Sequence, residues 1–273
     1  MNFKIIKPPY ILQPLITNGL TNNIFLINKQ YFLKLSKSIN QPFLNFTNQI
    51  NVITLIQWKK FTLPIIEYKL INNQLQILMP YYHDLLTLNE QPIDEDLLIT
   101  ISLLIKKIHH IAFNNTIAIM TWNALEQLHL YCNLITLDIN FLDLKTKIIN
   151  WINNYQPAKL VLCHNDLTLN NFVKKNNTWY LIDWDFACWN DPLFDIASFA
   201  SESLNNHEDI NFWFKCFNLT QAQISTVKNW MVYQNLIWYY WAYYLYDQTK
   251  IAVYKQIGDY KLKMLLRQQH YNL

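Results

Sequence analysis

Two short apolar runs in the middle of the chain each deliver a carboxylate. Leu160-Val161-Leu162-Cys163 leads into His164-Asn165-Asp166, and Trp179-Tyr180-Leu181-Ile182 leads into Asp183-Trp184-Asp185. Asn171 follows Asp166 by five residues, enough chain to cross a turn and face back. The spacing predicts a hairpin with Asn171 on one arm and Asp183 on the other, so that their oxygens converge on one point. A carboxylate and an amide oxygen suit Mg²⁺, a hard ion that keeps several waters and is shared with substrate phosphates. A second carboxylate, Asp166, left out of the metal shell, can accept a proton from an attacking hydroxyl. This is the division of labour of phosphoryl transfer, where positioning and charge neutralisation supply most of the catalysis.

These residues need a frame. The first 80 residues read as mostly β: Ile24–Asn28 and Tyr31–Ser36 are runs of β-formers joined by Asn28-Lys29-Gln30, and Leu75–Met79 is a further strand ending at Pro80. Between them, the apolar residues of 43–57 follow a helical period. From Asp94 the pattern turns helical. Asp94-Glu95-Asp96 places acid at the start of a helix running to His109-His110, which suits the helix dipole. Helical patterns then cover 122–133, 138–155, 191–204, 208–217, 221–246 and 250–270, interrupted by the β-flavoured stretch 160–187. The expected architecture is α+β in two lobes, a small β-rich one over 1–80 and a larger helical one over 81–273 that carries the central hairpin and the substrate pocket. A cleft is expected near residue 80.

Composition sets bounds on function. Of 273 residues, 52% are hydrophobic and 15% charged, so the chain can bury a large core. Lys and Arg total 22 against 19 Asp and Glu; a formal charge of +3 gives no reason to expect nucleic acid as a partner. Only two glycines occur, and neither Gly19 nor Gly258 has the companions that a Gly-rich phosphate loop requires. Asn, Ile, Leu, Lys and Tyr are abundant throughout, a bias that discourages reading a single Asn as functional. The longest apolar run, Leu236–Tyr246, is 11 residues, short of a membrane span. Cys132, Cys163, Cys188 and Cys216 are widely spaced, with no C-x-x-C, and no export signal is visible. Free thiols and a cytoplasmic location are the expectation. Nothing in the sequence marks an oligomeric interface.

The wording H-N-D-L-x-x-x-N from His164, followed by L-I-D-W-D-F-A-x-x-N-D-P-x-F-D-I-A from Leu181, resembles the choline/ethanolamine kinase family. That family belongs to a wider group with aminoglycoside phosphotransferases and thiamine kinases. The segment Asn18-Gly19-Leu20-Thr21-Asn22-Asn23-Ile24-Phe25-Leu26-Ile27 is similar to the family's phosphate-covering turn, which needs few glycines. The resemblance implies a protein-kinase-like fold, with ATP and Mg²⁺ as cofactors. It also implies residue roles: Asp166 as the catalytic base, Asn171 and Asp183 as the Mg²⁺ ligands, and Lys34 as the cation on the ATP phosphates. Thr21 and Asn22 would lie over those phosphates, and Met79-Pro80-Tyr81 would contact adenine. Asp195 would brace the catalytic loop; Asp185 fills the second acidic position after the metal-binding Asp. Many members pair the phosphate-binding cation with a helix Glu. Here Leu35 to Ile66 contains no acid, so Gln49 or Asn48 replaces that partner or the pair is absent.

The resemblance implies a small cationic alcohol as substrate, choline or ethanolamine before thiamine, with an aminoglycoside third. A nucleotide-binding protein that no longer transfers phosphate is the alternative of another class. The aromatic run 238–246 is expected to be mainly core, because a helix apolar all round is a buried helix. Trp238 and Trp241 are the members expected to reach substrate, since aromatic faces bind a quaternary ammonium. Glu202 and Asp185 are candidate counter-charges for it.

Overall fold

A computed structural model describes residues 3–6, 9–15, 20–40, 42–113, 116–139 and 141–268. In chain order its elements begin with β1 (Leu12–Leu15), β2 (Asn22–Ile27), β3 (Tyr31–Ser36), α1 (Phe46–Ile56), β4 (Glu67–Ile71), β5 (Gln74–Pro80) and β6 (Leu86–Thr87). Then follow α2 (Glu95–His109), α3 (Ala124–Asn133), α4 (Leu142–Asn154), β7 (Val161–Cys163), β8 (Phe172–Lys175) and β9 (Thr178–Leu181). The chain continues with β10 (Cys188–Asn190), α5 (Pro192–Ser203), α6 (His207–Cys216), α7 (Gln221–Thr249) and α8 (Ala252–Gln268). The expected strands and helices lie within a few residues of these bounds. Four short strands, β1, β4, β6 and β10, carried no clear alternation in the sequence and are added by the structure.

The chain divides into two compact units. The first comprises Met1–Pro92, Asn114–Ile119 and Asn170–Ala187; the second comprises Ile93–Phe113, Met120–Leu169 and Cys188–Leu273. In the first, five antiparallel strands run in the order β1-β2-β3-β5-β4. One apolar cluster joins α1 to the sheet through Phe46, Ile53, Ile65, Leu75 and Ile77, and another gathers Phe3, Ile6, Ile27, Leu33 and Leu78. Leu33 and Leu78 are fully buried. Each sealed aliphatic side chain of this kind is worth roughly 1.5–3 kcal/mol of burial. A second small sheet of this unit, β6-β8-β9, contains the central hairpin, closed by Asn176 and Asn177 at φ 47° and 60°.

In the second unit the two-stranded ladder β7–β10 has Cys163 opposite Cys188 and Val161 opposite Asn190. Helices begin on side chains that accept from their own first turn: Asp94 from Leu97 N, Asn123 from Glu126 N, Asp191 from Leu193 N and Asn206 from Asp209 N. Thr220 and Gln223 form a capping box at the head of α7. From Trp230 to Ala242, α7 is buried at every position except Trp238, as a helix apolar all round requires. Helix α8 lies so close that a Cβ on Gly258 would stand 2.7 Å from the ring of Tyr243.

Candidate active site

In the first unit, β2 and β3 pair Ile24 with Lys34, and β5 puts Ile77 opposite Lys34 on the other side. Strand β3 is therefore central, and Lys34 is 8% exposed. An ammonium in such a place must be paired. Its Nζ donates to Asp183 Oδ1 at 2.5 Å and to Asp185 Oδ1 at 2.7 Å. Asp185 Oδ2 accepts from Asn22 Nδ2 at 2.8 Å, and the same amide donates to Thr21 Oγ1 at 2.7 Å. The residues expected over the phosphates are thus tied to the acidic segment. Asn18 and Gly19, expected in the same turn, lie outside the described residues.

Gln49 and Asn48 are engaged with the backbone of the acidic segment. Their amides donate to the backbone carbonyls of Asp185 and Ala187, at 3.1 and 2.8 Å. The helix that lacks an acidic partner for the lysine instead clamps the segment after β9, whose two acids supply one. Burial works against charge on Lys34, but the two carboxylates outweigh it and raise its pKa above the usual range. On Asp185 burial is likewise overcome, by Lys34, and the carboxyl is held below its ordinary value. Asp183 behaves differently. Burial, then repulsion from Asp185, pushes its carboxyl up to about 6 against the pull of Lys34.

Asn171 is 7% exposed and ends a short 3-10 turn before β8; its carbonyl accepts from Ile182 N at 2.9 Å. That bond fastens the two arms of the hairpin at the level of Asp183. Asp183 itself has φ 66°, a left-handed conformation that costs an L-residue energy and is concentrated at functional sites. Beside Lys34 and the acids lies a cavity walled by Ile53, Ile65, Ile77, Met79 and Ile182. Tyr81, next in chain after β5, donates its N–H to Gln30 O at 2.8 Å.

The second unit holds Asp166. The backbone N–H groups of His164 and Asn165 donate to Asp195 Oδ2 and Oδ1, at 3.0 and 2.8 Å, and Leu167 N donates to Ser198 Oγ at 2.9 Å. Helix α5 thereby sets the loop on both sides of Asp166. Asn165, at φ 65°, also accepts from Asn190 Nδ2 at 2.8 Å. His109 Nε2 lies 2.9 Å from Asp195 Oδ2, a role for His109 that its place at a helix end did not suggest. His109, Cys163 and Asp195 bring ligand atoms within 4.8 Å of one another. The trio is a brace: Asp195 is spent on the loop, and burial, then the charge of Asp195, holds the Cys163 thiol protonated.

Near the same loop stands Tyr131, fully buried, whose phenol is kept protonated first by burial and then by the charge of Asp166. Its ring meets Trp238 edge-on at 5.9 Å, Trp238 meets Trp241 at 5.6 Å, and Trp241 meets Tyr254 at 5.7 Å. Trp241 is 5% exposed and belongs to the core behind Trp238. Tyr131 was not singled out from the sequence, because α3 offers it no motif. Glu202 is ion-paired with the buried Lys261, whose Nζ also donates to Asn235 Oδ1 at 3.1 Å.

The phosphotransferase enzyme family model matches residues 15–213. The chain belongs to that family. The chain is 31% identical over 112 residues to protein LicA of Haemophilus influenzae, a stretch covering 38% of this chain and 40% of LicA. The crystal structure of choline kinase LicA from Streptococcus pneumoniae superposes with a TM-score of 0.77 at 16% identity, covering 95% of this chain and 93% of the other. A structure of LicA in complex with AMP gives 0.76 at 17%, covering 96% and 94%. The chain therefore has the protein-kinase-like fold that the resemblance implied.

Proposed function

We propose that this phosphotransferase moves the γ-phosphoryl group of ATP to the hydroxyl of a small cationic alcohol, with choline or ethanolamine ahead of thiamine. The observation that carries the reading is the buried triad of Lys34 with Asp183 and Asp185, locked to Asn22 and to the hairpin of Asn171. An ammonium flanked by one saturated and one strained, high-pKa carboxylate is a site prepared for phosphate and a divalent cation. Asn171 and Asp183 fit Mg²⁺ by donor type, and a bound Mg²⁺ would neutralise charge on the transferring phosphates. Lys34, released from Asp183 and still anchored by Asp185, donates to the phosphates that leave as ADP. The apolar cavity walled by Ile77 and Met79 takes the flat base, with the backbone after Met79 as its polar edge.

Asp166 accepts the hydroxyl proton as the alcohol oxygen bonds to phosphorus and the bridging bond to ADP breaks. Asp195 is a positioning residue for it. Trp238, half-buried on α7, presents its ring to the ammonium end, with Tyr131 and Trp241 behind it. A cation against such rings gains roughly 0.5–2 kcal/mol per face. Glu202, already paired with Lys261, contributes to this pocket as a fixed and compensated charge. The LicA likeness favours choline over a polycationic aminoglycoside.

The test is ADP release from ATP with choline, ethanolamine, thiamine and kanamycin, each with Mg²⁺ or with chelator. Turnover with choline or ethanolamine that chelator abolishes is the expected result. Turnover with thiamine alone would move the substrate, and inertness towards all four despite tight ATP binding would sink the kinase reading.

A further inference from the structure

The second unit contains a cavity of about 530 Å³ that the proposed chemistry does not use. Leu160 and Asn190 belong to its lining. They stand at one end of the β7–β10 ladder, whereas the loop of Asp166 leaves the other end after Cys163. Three residues of strand, roughly 10 Å at about 3.3 Å per residue, separate the two. The volume lies within the range of about 300–1,000 Å³ usual for sites that enclose small organic molecules.

Its walls are aromatic and acidic. Trp122, Tyr155 and Trp230 supply rings, Glu126 and Asp191 supply carboxylates, and no Lys, Arg or His takes part among the described residues. Tyr155 stacks on Trp151 at 5.2 Å and 21°, and Trp230 meets both edge-on. Asp191 is 3% exposed and its oxygens accept from Tyr155 Oη at 2.5 Å and Trp230 Nε1 at 2.8 Å on Oδ2, and from Leu193 N on Oδ1. Burial and the bond to Asp191 raise the pKa of Tyr155, so its phenol remains a donor. Glu126 lies in the first turn of α3 and makes no ion pair among the described residues. Rings that line a base-free cavity with two carboxylates attract a cation that also brings apolar surface.

We propose that this cavity is a second binding site, for an organic ammonium ion with an apolar body, distinct from the place of phosphoryl transfer. Benzyltrimethylammonium tests it, because it has the charge and the ring but no hydroxyl to phosphorylate. Titration calorimetry on the full chain without ATP should show saturable binding that Glu126→Gln weakens about tenfold. Leu160→Trp, which fills the cavity from its open rim, should remove the same component. Melting curves establish that both variants fold; Glu126 is exposed, so its amide is well tolerated. Trp238→Ala should leave this component in place. The proposal falls if the wild type binds nothing, if neither Glu126→Gln nor Leu160→Trp changes the titration, or if neutral benzyl alcohol binds equally well. None of these readings involves turnover, so failure of the kinase assignment would leave them intact.

Discussion

At the scale of single residues, the site couples a buried cation to two carboxylates with opposed fates. On the proposed mechanism, Asp166→Asn removes proton acceptance alone, so turnover should fall by about 10²–10⁴-fold while ATP binding, followed by calorimetry, stays within a fewfold. Asp183 gives a prediction about stability. Its carboxyl is pushed from the ordinary 3.8 to about 6, so between these values the folded chain holds a proton that the unfolded chain has released. Stability therefore falls as pH rises through that window. In chelator, the melting temperature should drop from pH 4 to 6, and Asp183→Asn should flatten the drop while abolishing activity. A rising melting temperature in the wild type would contradict the buried position of that charge. Lys34→Met should cost about 3–5 kcal/mol in denaturant unfolding, since it strands two acids beside one another.

At the scale of elements, the sequence was most legible where period and punctuation agreed. The helix after Asp94 and the two strands around Asn28-Lys29-Gln30 announced themselves through caps and β-formers. So did the hairpin that brings Asn171 level with Asp183. What it hid were pairings decided by tertiary context: β6 and β10 are two and three residues long, too short to show alternation, and exist because β8 and β7 lie beside them. The replacement for the missing helix acid was equally hidden. Gln49 and Asn48 were the right residues on the right helix, but they hold backbone carbonyls of the segment that follows β9, a choice no spacing encodes. Asp195 was legible as a brace only through the family resemblance of the segment around it; its partner His109 was not. Replacing Asp195 by Ala strips two backbone donors of a charged acceptor. The expected loss is about 2–3 kcal/mol of stability, with a fall in kcat larger than any change in KM for ATP.

At the scale of the whole molecule, the proposed roles divide between the two units: the residues assigned to the nucleotide lie in the first, and Asp166 with Trp238 in the second. The fit of α8 on α7 is a further test: Gly258→Leu would drive a side chain into Tyr243, and a drop of several degrees in melting temperature is expected, with ADP release per folded molecule unchanged. The left-handed positions show how this chain was assembled. Among the described residues, Asn28, Asn72, Asn73, Asn165, Asn176, Asn177 and Asn218 all have positive φ, together with Lys29, Phe141, Asp183 and Lys250, and Gly258 does not. Two-residue hairpin turns such as 72–73 and 176–177 ordinarily recruit glycine at the second place. Asn73→Gly should be neutral or slightly stabilising, and Asn73→Val should cost about 1–2 kcal/mol. Glycine codons begin with two guanines, asparagine codons with two adenines. A gene drifting toward A and T sheds the first and accumulates the second, and this fold has kept its corners by letting the next most permissive residue turn them.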